Sequence, residues 1–590
     1  DDILLAWGIP TEAADHLARL HQRPLLAVAQ PAWYCDSKVF YPLAVRNTEK
    51  FKYYEETIDR KIAAYAAARE KQRDYGLMNF GDWYGERGAN WGNSEYDTQS
   101  GLLLQFVRSG NEDAFFLADD MEKHNRDVDT VHWSKPNDRL SPGAVLVHQM
   151  GHVGGYYTES VPGTLGIPRA GASVSHSWNE GHFYHYFLTG DVRSRETALA
   201  IADYYIQTDL RQPYHFVSCR NPGWHLIINA STLAATGNPY YLNASRLIID
   251  RVLELQDKTP FPVPEFQREE GRRTHQIGGW SRMMVPGHCL CEPRHRGNAN
   301  FMVAVLLAGM KYYHDVTGDP KVKDSIIAGA KYMIEECYSD ETGGFRYTSC
   351  PNMRFSRGTH PLMVEGIARA YLWTRDPILK KPLTDALLQS PGGGDYGKSF
   401  SNYYRVAPRV LYDLAETGIT WNDPPQMPQN ALFKPPAWMT GEAAKGQIML
   451  EAEAFTGQGV GTCQTRTDRM GISKAIVTHW EADIGHWLEW TFELPKAGAY
   501  QILFRYATNH KETVRKVEIN GQTPSTAATS LPFARTGSYG FAATDWRFLP
   551  LPDDAGKPLV VTLPVGKNTI RMTNLNGGLA LDFILLKPEP

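Results

Sequence analysis

The chain has 590 residues and a formal net charge of -4, with 61 Lys and Arg against 65 Asp and Glu. This length exceeds the roughly 250–300 residues at which a single core stops growing, so more than one domain is expected. The balanced charge without basic runs argues against nucleic-acid binding, and no uncharged apolar stretch is long enough to span a membrane.

Residues 1–47 begin at Asp1 without a starting Met or a signal-like apolar segment. The opening D-D-I-L-L-A-W-G is too short to be the start of a whole domain. We therefore expect residues 1–47 to be a lead-in that remains from upstream β-domains.

An imperfect repeat of helical hairpins organises residues 48–421. In each copy, a turn of the form T/S-G-D/N separates two helix-like apolar segments. The Gly ends one helix in the left-handed conformation, and the Asp or Asn caps the next helix. The turns are Ser109-Gly110-Asn111, Thr189-Gly190-Asp191, Thr236-Gly237-Asn238, Thr317-Gly318-Asp319, the degenerate Thr374-Arg375-Asp376 and a partial Thr417-Gly418.

The spacing of these turns favours a closed α/α toroid over a solenoid. A solenoid keeps a fixed period, whereas the interval from Gly110 to Gly190 is nearly twice that from Gly190 to Gly237. The apolar periodicity predicts helices over 181–188, 196–208, 225–235, 298–316 and 323–336.

The character of the sequence changes after the repeat. Residues 422–444 contain the proline cluster D-P-P-Q-M-P-Q-N-A-L-F-K-P-P, which is typical of a stiff linker. Short alternating segments such as H-W-L-E-W-T-F-E-L and Y-Q-I-L-F-R-Y-A then follow over residues 445–590. They predict a β-sandwich of the jelly-roll type, so the chain is expected to be a multidomain α + β protein.

In a toroid the inner helices run in the same direction, so the loops that precede them meet at one mouth. The long connections, about 130–175, 258–297 and 339–360, lie at these places and are rich in His, Tyr, Arg and Trp. We expect a substrate-binding cleft there. The candidate substrate-binding residues are Trp83, Asn93, Asn179, Glu180, Trp224, His225, His288, Arg294 and His360.

The residue types at this mouth fit β-elimination on a uronic-acid polysaccharide. That reaction needs a cation on the carboxylate, a base for the α-proton and an acid for the leaving oxygen. We assign Arg220 to the carboxylate, His182 to the base with His176 beside it, and Tyr96 to the acid. His182 is placed at the start of an inner helix, from which its ring is expected to project into the cleft.

Two other functions remain open at this point. Hydrolysis needs two carboxyl groups, which Glu95, Asp97, Glu180 and Glu365 would supply. A glycan-binding protein without catalysis would rely on the C-terminal module. A catalytic metal is disfavoured, because His148 and His152 have no third ligand and Cys289 and Cys291 lack zinc-knuckle spacing.

Three segments of the toroid region resemble the exo-rhamnogalacturonan lyases, the PcRGLX/YetA-like group of polysaccharide lyase family 26. They are R-P-L-L-A-V-A-Q-P-A-W-Y-C, G-D-W-Y-G-E-R with N-S-E-Y-D, and H-S-W-N-E-G-H-F-Y-H-Y-F-L-T-G-D. The resemblance covers about residues 23–418. It implies a secreted, periplasmic or cell-surface lyase that removes unsaturated galacturonosyl-rhamnose from rhamnogalacturonan I, with β-domains upstream of its toroid.

The C-terminal region resembles the carbohydrate-binding modules of families 6 and 35. The resemblance rests on L-E-A-E-A-F, on G-H-W-L-E-W-T-F-E-L-P-K-A-G-A-Y and on L-A-L-D-F-I-L-L. It implies a structural calcium ion held by Glu451, Glu453 and Asp582, whereas no cofactor is expected for the chemistry. Sugar is expected to stack on Trp480, Tyr539 or Trp546. The oligomeric state does not follow from these patterns.

Overall fold

The computed structural model describes residues 5–589 apart from 24, 78, 87–89, 93, 137–139, 147–171, 211–217, 260–276, 287, 290–293, 295, 341–342, 351–360, 389–392, 425–431, 468, 481–482 and 541–542. The described α-helices fall in the first 420 residues. They are α1 (Thr11–Gln22), α2 (Pro31–Ser37), α3 (Lys52–Gln72), α4 (Thr98–Ser109), α5 (Glu112–His124), α6 (Glu180–Thr189), α7 (Val192–Thr208), α8 (Arg220–Thr236), α9 (Pro239–Leu255), α10 (Asn300–Thr317), α11 (Pro320–Cys337), α12 (Pro361–Thr374), α13 (Pro377–Leu388), α14 (Gly397–Tyr404) and α15 (Ala407–Thr417).

These helices form the predicted α/α toroid. Helix α4 packs on α6, α6 on α8, α8 on α10, α10 on α12 and α12 on α15, while α14 packs on α4 and closes the ring. The intervening helices α3, α5, α7, α9, α11 and α13 lie outside. Inner helices such as α8 are buried on nearly every side, whereas outer helices such as α9 bury one face.

The hairpin turns have the predicted geometry. Gly110, Gly190, Gly237 and Gly318 have φ between 63° and 77°, the left-handed region that a glycine enters without strain. Arg375 takes the same conformation, with φ 55°, in the copy that lacks the glycine. The residue that follows each of these left-handed positions caps the next helix. Asn111, for example, accepts a hydrogen bond from the Ala114 amide at 3.2 Å.

The inner helices α8 and α10 approach each other closely through two glycines. A Cβ atom on Gly309 would lie 2.3 Å from the Gly223 carbonyl oxygen, and one on Gly223 would lie 2.6 Å from the Val305 carbonyl oxygen. These are backbone contacts, which no side-chain rotation relieves. The glycines therefore fix the width of the ring at this point.

The residues that precede the first hairpin differ in burial. Helix α1 has no buried residue. In contrast, Tyr34, Phe40 and Tyr41 belong to the toroid core, and the Tyr41 ring lies 4.8 Å from that of Tyr312 on α10. The C-terminal part of residues 1–47 is thus packed into the toroid.

Residues 445–590 form two antiparallel sheets, as predicted. One has the order β15-β12-β18-β10-β9, with β16 also paired to β12 and β7 to β18; the other has the order β14-β13-β17-β11-β8. The strands are β7 (Ile448–Glu451), β8 (Gly457–Gly459), β9 (Gln464–Arg466), β10 (Ile476–Thr478), β11 (Trp487–Leu494), β12 (Gly498–Ala507), β13 (Thr513–Ile519), β14 (Leu531–Phe533), β15 (Arg547–Pro550), β16 (Val560–Leu563), β17 (Gly566–Asn576) and β18 (Ala580–Pro588). Short hairpins also occur in the toroid: β1 (Trp83–Glu86) with β2 (Asn90–Gly92), β3 (Arg282–Met283) with β4 (Arg296–Gly297), and β5 (Tyr338–Ser339) with β6 (Gly344–Phe345).

The sandwich has a hydrophobic core separate from that of the toroid. Its two sheets bury alternate residues, as β11 shows with Leu488, Trp490, Phe492 and Leu494. The end of the proline-rich segment contacts the sandwich, since the Phe433 amide donates to the Ile472 carbonyl oxygen at 2.9 Å. No helix in the described part of the chain is long and apolar enough to cross a membrane.

Candidate functional site

The predicted mouth lies where the inner helices begin. Asp97 precedes α4, Asn179 precedes α6, Arg220 is the first residue of α8, and Ala299 precedes α10. Because the inner helices run in the same direction, their N-terminal ends lie at one end of the ring. The aromatic and cationic side chains described below are carried by these ends and by the loops before them.

Three aromatic rings meet at the centre of this end. The Tyr96 ring lies 5.8 Å from Trp178 and 5.9 Å from Trp224, and the two Trp rings are 5.6 Å apart and perpendicular. Tyr96 is 9% exposed, Trp178 is 6% exposed and Trp224 is 1% exposed. All three rings are therefore largely buried, and Tyr96 is the most exposed of them.

The backbone at Tyr96 is strained. Tyr96 has φ 67° and Asp97 has φ 57°, so two successive residues with side chains occupy the left-handed region. Such conformations persist only where the surroundings enforce them, and they concentrate at functional sites. Here the enforcing contacts come from Asp97, whose carboxylate accepts hydrogen bonds from the Ser100 amide at 3.3 Å and from the Gly181 amide at 3.2 Å.

Burial raises the pKa of Asp97 to about 6. The nearby Glu180 carboxylate also raises this pKa, while Arg405, His182 and the Gly181 amide oppose the rise. A carboxyl group in this state changes its protonation close to neutral pH. The strained turn that carries Tyr96 is therefore stabilised by a carboxyl group, that of Asp97, which titrates.

Charged and titratable side chains lie next to Tyr96. The Lys398 ammonium lies 5.6 Å from the centre of the Tyr96 ring and 2.9 Å from the Glu95 carboxylate. His176 is half-buried, with Nε2 4.0 Å from the same carboxylate and Nδ1 2.9 Å from the Ser175 hydroxyl. A tyrosine, a histidine and a lysine thus lie around one acidic residue.

A second aromatic surface continues from Trp224 toward the next inner helices. Arg220 precedes Trp224 by one helical turn, and its guanidinium lies 6.0 Å from the centre of the Phe301 ring. Phe301 stacks on Tyr347 at 5.4 Å, and the Tyr347 hydroxyl is 3.3 Å from His288 Nε2. Among the described residues the buried Arg220 Nε has no hydrogen-bond partner. This surface therefore combines flat aromatic rings with a guanidinium group that can bind an anion.

Trp83 lies on the β1–β2 hairpin at the first helix entrance. Its half-buried ring packs against Gly92 and Gly397, where an added Cβ would come within 3 Å of the indole. The Tyr396 hydroxyl donates to the Asp82 carbonyl oxygen at 2.8 Å and thereby ties this hairpin to the last pair of helices.

The structure corrects the predicted position of His182. The side chain is fully buried, and its Nδ1 lies 2.5 Å from the Glu122 carboxylate on α5. Burial alone would raise the pKa of Glu122, but the charge and hydrogen bond of His182 outweigh it and lower this pKa. His182 faces the outer helix instead of the cleft, so it does not occupy the position of a base that contacts substrate.

Three of the predicted substrate-binding residues are also buried within the ring of inner helices. Asn179 donates to Thr232 Oγ1 at 2.9 Å, and Glu180 accepts hydrogen bonds from Arg405 and, at 2.8 Å, from Arg409. His225 is fully buried, which lowers its pKa to about 3 and keeps the ring neutral. These three side chains, like that of Trp224, are at most 1% exposed, which corrects their predicted position on the surface of the cleft.

The remaining predicted residues differ in placement. Arg294 is exposed and its guanidinium donates to the Met284 carbonyl oxygen at 3.0 Å. Asn93 and His360 lie outside the described residues, as do the alternative metal ligands His148 and His152.

Sequence reasoning missed Lys398, Trp178, Phe301 and Tyr347. Lys398 opens α14 in G-K-S-F-S-N-Y-Y-R, which follows no T-G-D turn and was therefore not identified as an inner-helix entrance. The other three are ordinary core residue types, and only their mutual contacts distinguish them. The sequence did offer a signal in their positions. Trp178 and Phe301 lie within a few residues of predicted helix starts, and Tyr347 lies in the long connection 339–360.

The three predicted calcium ligands are neighbours in the sandwich. The Ser473 hydroxyl bridges two of them, at 2.5 Å from Glu451 and 3.1 Å from Asp582. Burial and the negative charges of Glu451 and Asp582 raise the pKa of Glu453, whose Oε2 is buried with no hydrogen-bond partner in the described structure. This oxygen-rich, negatively charged group suits calcium in its chemistry.

Two observations limit this calcium assignment. Arg505 donates a hydrogen bond to Asp582 and so supplies one positive charge from within the protein. In addition, the described residues include no set of three or more His, Cys, Asp or Glu side chains arranged to hold a metal ion. Calcium takes about six to eight oxygen ligands, so further oxygens would have to complete such a site.

Two of the predicted sugar-stacking rings are core residues. Trp480 is fully buried and lies 6.5 Å from Trp490, while Trp546 is 6% exposed and donates from Nε1 to the Met470 carbonyl oxygen at 2.8 Å. Strand-face tryptophans fill the space between sheets, which explains their burial. Tyr539 is half-buried, and its ring lies 6.2 Å from that of His510.

The chain is similar to known proteins in both regions. Residues 24–137 match the model of the PcRGLX-like protein C-terminal alpha/alpha toroid domain. A curated relative, the uncharacterized protein YetA of Bacillus subtilis (strain 168), is 28% identical over 221 residues, which are 35% of this chain and 24% of the relative. The match thus spans about a quarter of the relative's length.

Solved carbohydrate-binding modules are similar to about a quarter of the chain. A family 35 module from Clostridium thermocellum is 24% identical, with a TM-score of 0.19 over 24% of this chain and 97% of the module. The C-terminal CBM6 of LamC, a laminarinase from Zobellia galactanivorans, is 17% identical, with a TM-score of 0.19 over 24% of this chain and 99% of the module. The family-model match agrees with the α/α toroid described above for the first region of the chain.

Proposed function

We propose that the protein is a polysaccharide lyase that cleaves a uronic-acid-containing polysaccharide by β-elimination at the toroid mouth. The observation that carries this proposal is the grouping of Tyr96, His176 and Lys398 around Glu95, on a strained turn at the entrance of an inner helix. Arg220 adds a second cation one turn above Trp224.

Each step of β-elimination has a candidate group here. Arg220 would bind the uronate carboxylate and stabilise the charge that develops as the α-proton leaves. His176 would take that proton from C5, and Glu95 beside it would stabilise the resulting imidazolium. The electrons form the C4–C5 double bond, the bond from C4 to the glycosidic oxygen breaks, and Tyr96 would protonate that oxygen. Lys398 near the Tyr96 ring would stabilise the phenolate that remains.

The arrangement of carboxylates favours elimination over hydrolysis. A glycosidase needs two carboxyl groups about 5–9.5 Å apart that face the scissile bond. In the described structure Glu95, Glu180 and Glu365 each pair with a cation and are at most 2% exposed, while Asp97 caps α4 from a buried position. These carboxylates therefore stabilise the inner helices and the turn at Tyr96 and Asp97.

The similarity of residues 24–137 to the PcRGLX-like toroid domain supports a further proposal on substrate and location. We propose rhamnogalacturonan as the substrate, exo-acting cleavage, and a secreted, periplasmic or cell-surface location. The sandwich would bind glycan and keep the enzyme on its polymer. Its aromatic candidate in the described residues is Tyr539, which is half-buried.

One assay separates lyase, hydrolase and binding protein. The chain is incubated with rhamnogalacturonan, ulvan, alginate and glycosaminoglycans, and ultraviolet absorbance and reducing ends are followed together. A lyase raises both signals, because the new double bond is conjugated with the carboxyl group. Reducing ends without absorbance would mean hydrolysis, and a lack of both signals would mean binding alone.

Two variants link that activity to the proposed residues. Tyr96→Phe and His176→Ala should each lower turnover by about 10²–10⁴-fold, since each removes a proton-transfer group. His21→Ala on the exposed helix α1 is the matched control and should leave the rate unchanged. Turnover of both site variants within about threefold of the parent would place the chemistry elsewhere.

We also propose that calcium binds at Glu451, Glu453 and Asp582 as a structural ion. The buried Glu453 oxygen and the mutual repulsion of these carboxylates support this proposal. The ion would neutralise the charge that Arg505 leaves uncompensated. It would take no part in catalysis.

A further inference from the structure

Two cysteines from different mouth loops meet in the structure. Cys289 Sγ and Cys350 Sγ are 3.6 Å apart, although the residues are 61 positions apart in the sequence. Cys289 is 7% exposed and Cys350 is fully buried, and Met284 and Tyr347 pack beside them. The two sulfur atoms therefore face each other in a closed, apolar environment.

The backbone around both cysteines is fixed to the same helix entrance. Ala299, which precedes α10, pairs with Thr348, and the Ser349 amide donates to the Asn298 carbonyl oxygen at 2.9 Å. On the other loop, Cys289 follows His288, which contacts Tyr347 three residues before Cys350. The two thiols thus lie at the contact between the loop that carries His288 and the loop that carries Tyr347.

We propose that Cys289 and Cys350 form a disulfide bond that crosslinks these two loops. A disulfide has an S–S distance of about 2.05 Å, so the sulfurs must approach by about 1.5 Å, within reach of side-chain rotation. The oxidant is a low-molecular-weight or protein disulfide. One cysteine thiolate attacks it and releases one thiol, and the second thiolate then attacks the mixed disulfide and releases the other thiol. Two protein thiols and one external disulfide become one protein disulfide and two external thiols.

The geometry favours this reaction. The two sulfurs are already adjacent, so the second thiol lies next to the mixed disulfide as soon as the first has reacted. The bond would persist in an oxidising compartment, such as the periplasm or cell exterior. Its formation depends on the compartment and on sulfur geometry, so it is independent of whether the mouth performs elimination.

Peptide mapping of the full chain tests the proposal directly. The protein is refolded with oxidised and reduced glutathione, unfolded, alkylated without reduction and digested. We expect one crosslinked peptide that contains Cys289 and Cys350, lighter than its reduced components by two hydrogens. Cys35, which is buried in α2, should be alkylated under the same conditions and serves as the internal control.

A stability measurement adds a second readout. Reduction should lower the melting temperature of the helical signal by a few degrees in the parent and leave the Cys350→Ser variant unchanged, because a crosslink constrains the unfolded chain. The mapping needs no variant and holds even if Cys350→Ser fails to fold. Complete alkylation of both cysteines, a crosslink from Cys350 to Cys291, or a thiolate-bound zinc ion that replaces the crosslink would each overturn the proposal.

Discussion

Replacing Glu180 by Gln removes one negative charge from the centre of the toroid while keeping the size of the side chain. Glu180 lies between Arg405 and Arg409, and all three side chains are at most 1% exposed. Tyr184 also donates to its carboxylate at 3.1 Å. The substitution leaves two buried guanidinium groups with a neutral partner.

The expected cost follows from this burial. Removing one member of a buried ion pair costs about 3–5 kcal/mol, because the remaining charge stays desolvated. Asp97 and Glu365 also interact with the two arginines and offset part of the loss. We therefore expect a value near the lower end, ~3 kcal/mol.

Thermal unfolding followed by far-ultraviolet circular dichroism measures this effect, since the helices lie in the toroid and the strands of the sandwich contribute little at that signal. Glu180→Gln should lower the melting temperature of the helical signal by about 4 °C, because a toroid of roughly 370 residues has an unfolding entropy of about 0.8 kcal/mol/K. Glu489→Gln is the matched control, because its partner Arg571 is 2.8 Å away in a partly exposed pair on the sandwich. That control should cost less than about 1 kcal/mol.

The result also separates a structural role of Glu180 from the substrate contact predicted from the sequence. A structural residue loses stability when its charge is removed. If Glu180→Gln kept the melting temperature within about 1 °C while binding of uronate oligosaccharides was lost, the buried network would be misjudged and Glu180 would reach the substrate.

Three further perturbations have defined outcomes. Burial raises the pKa of Asp97 to about 6 from an ordinary value of 3.8, so its contribution to stability is present below about pH 4 and is lost as pH rises through 6. Asp97→Asn should therefore remove a pH dependence of up to ~3 kcal/mol from the free energy of unfolding of the toroid. Parallel pH profiles for parent and variant would contradict this. Chelation should lower the melting temperature of the sandwich and leave turnover on short substrates intact, whereas a sandwich that is indifferent to chelator and to added calcium would mean that Arg505 alone balances Asp582. Gly309→Ala should destabilise the toroid by about 1–3 kcal/mol through its contact with the Gly223 backbone, and an unchanged melting temperature would refute that contact.

The fold was predictable because its signals are local. Each T/S-G-D/N turn specifies a left-handed glycine and a helix cap within three residues, as Thr189, Gly190 and Asp191 show. The alternation in β11 and β12 likewise specifies a two-sided sheet. These patterns predict where helices and strands begin and end. The uneven spacing of the turns indicates a closed ring of helices.

The site was only partly predictable because its contacts are long-range. His182 and Glu180 lie at a correctly predicted helix entrance, but the rotation of that helix is set by packing against Glu122 and Arg409, which are distant in the sequence. The Lys398 and Glu95 pair also joins opposite ends of the toroid sequence. Residue type and position at an entrance cannot specify which side chains reach the opening.

Elimination and hydrolysis at the mouth give products of different mass, so mass spectrometry distinguishes the two reactions. β-Elimination adds no water and leaves an unsaturated uronate, whereas hydrolysis adds one water to the same fragment. Digestion of rhamnogalacturonan oligosaccharides by the full chain, followed by mass spectrometry, should give a product lighter than the hydrolysis product by one water, and Tyr96→Phe should yield far less of it. A product that retains the mass of one added water would contradict the account.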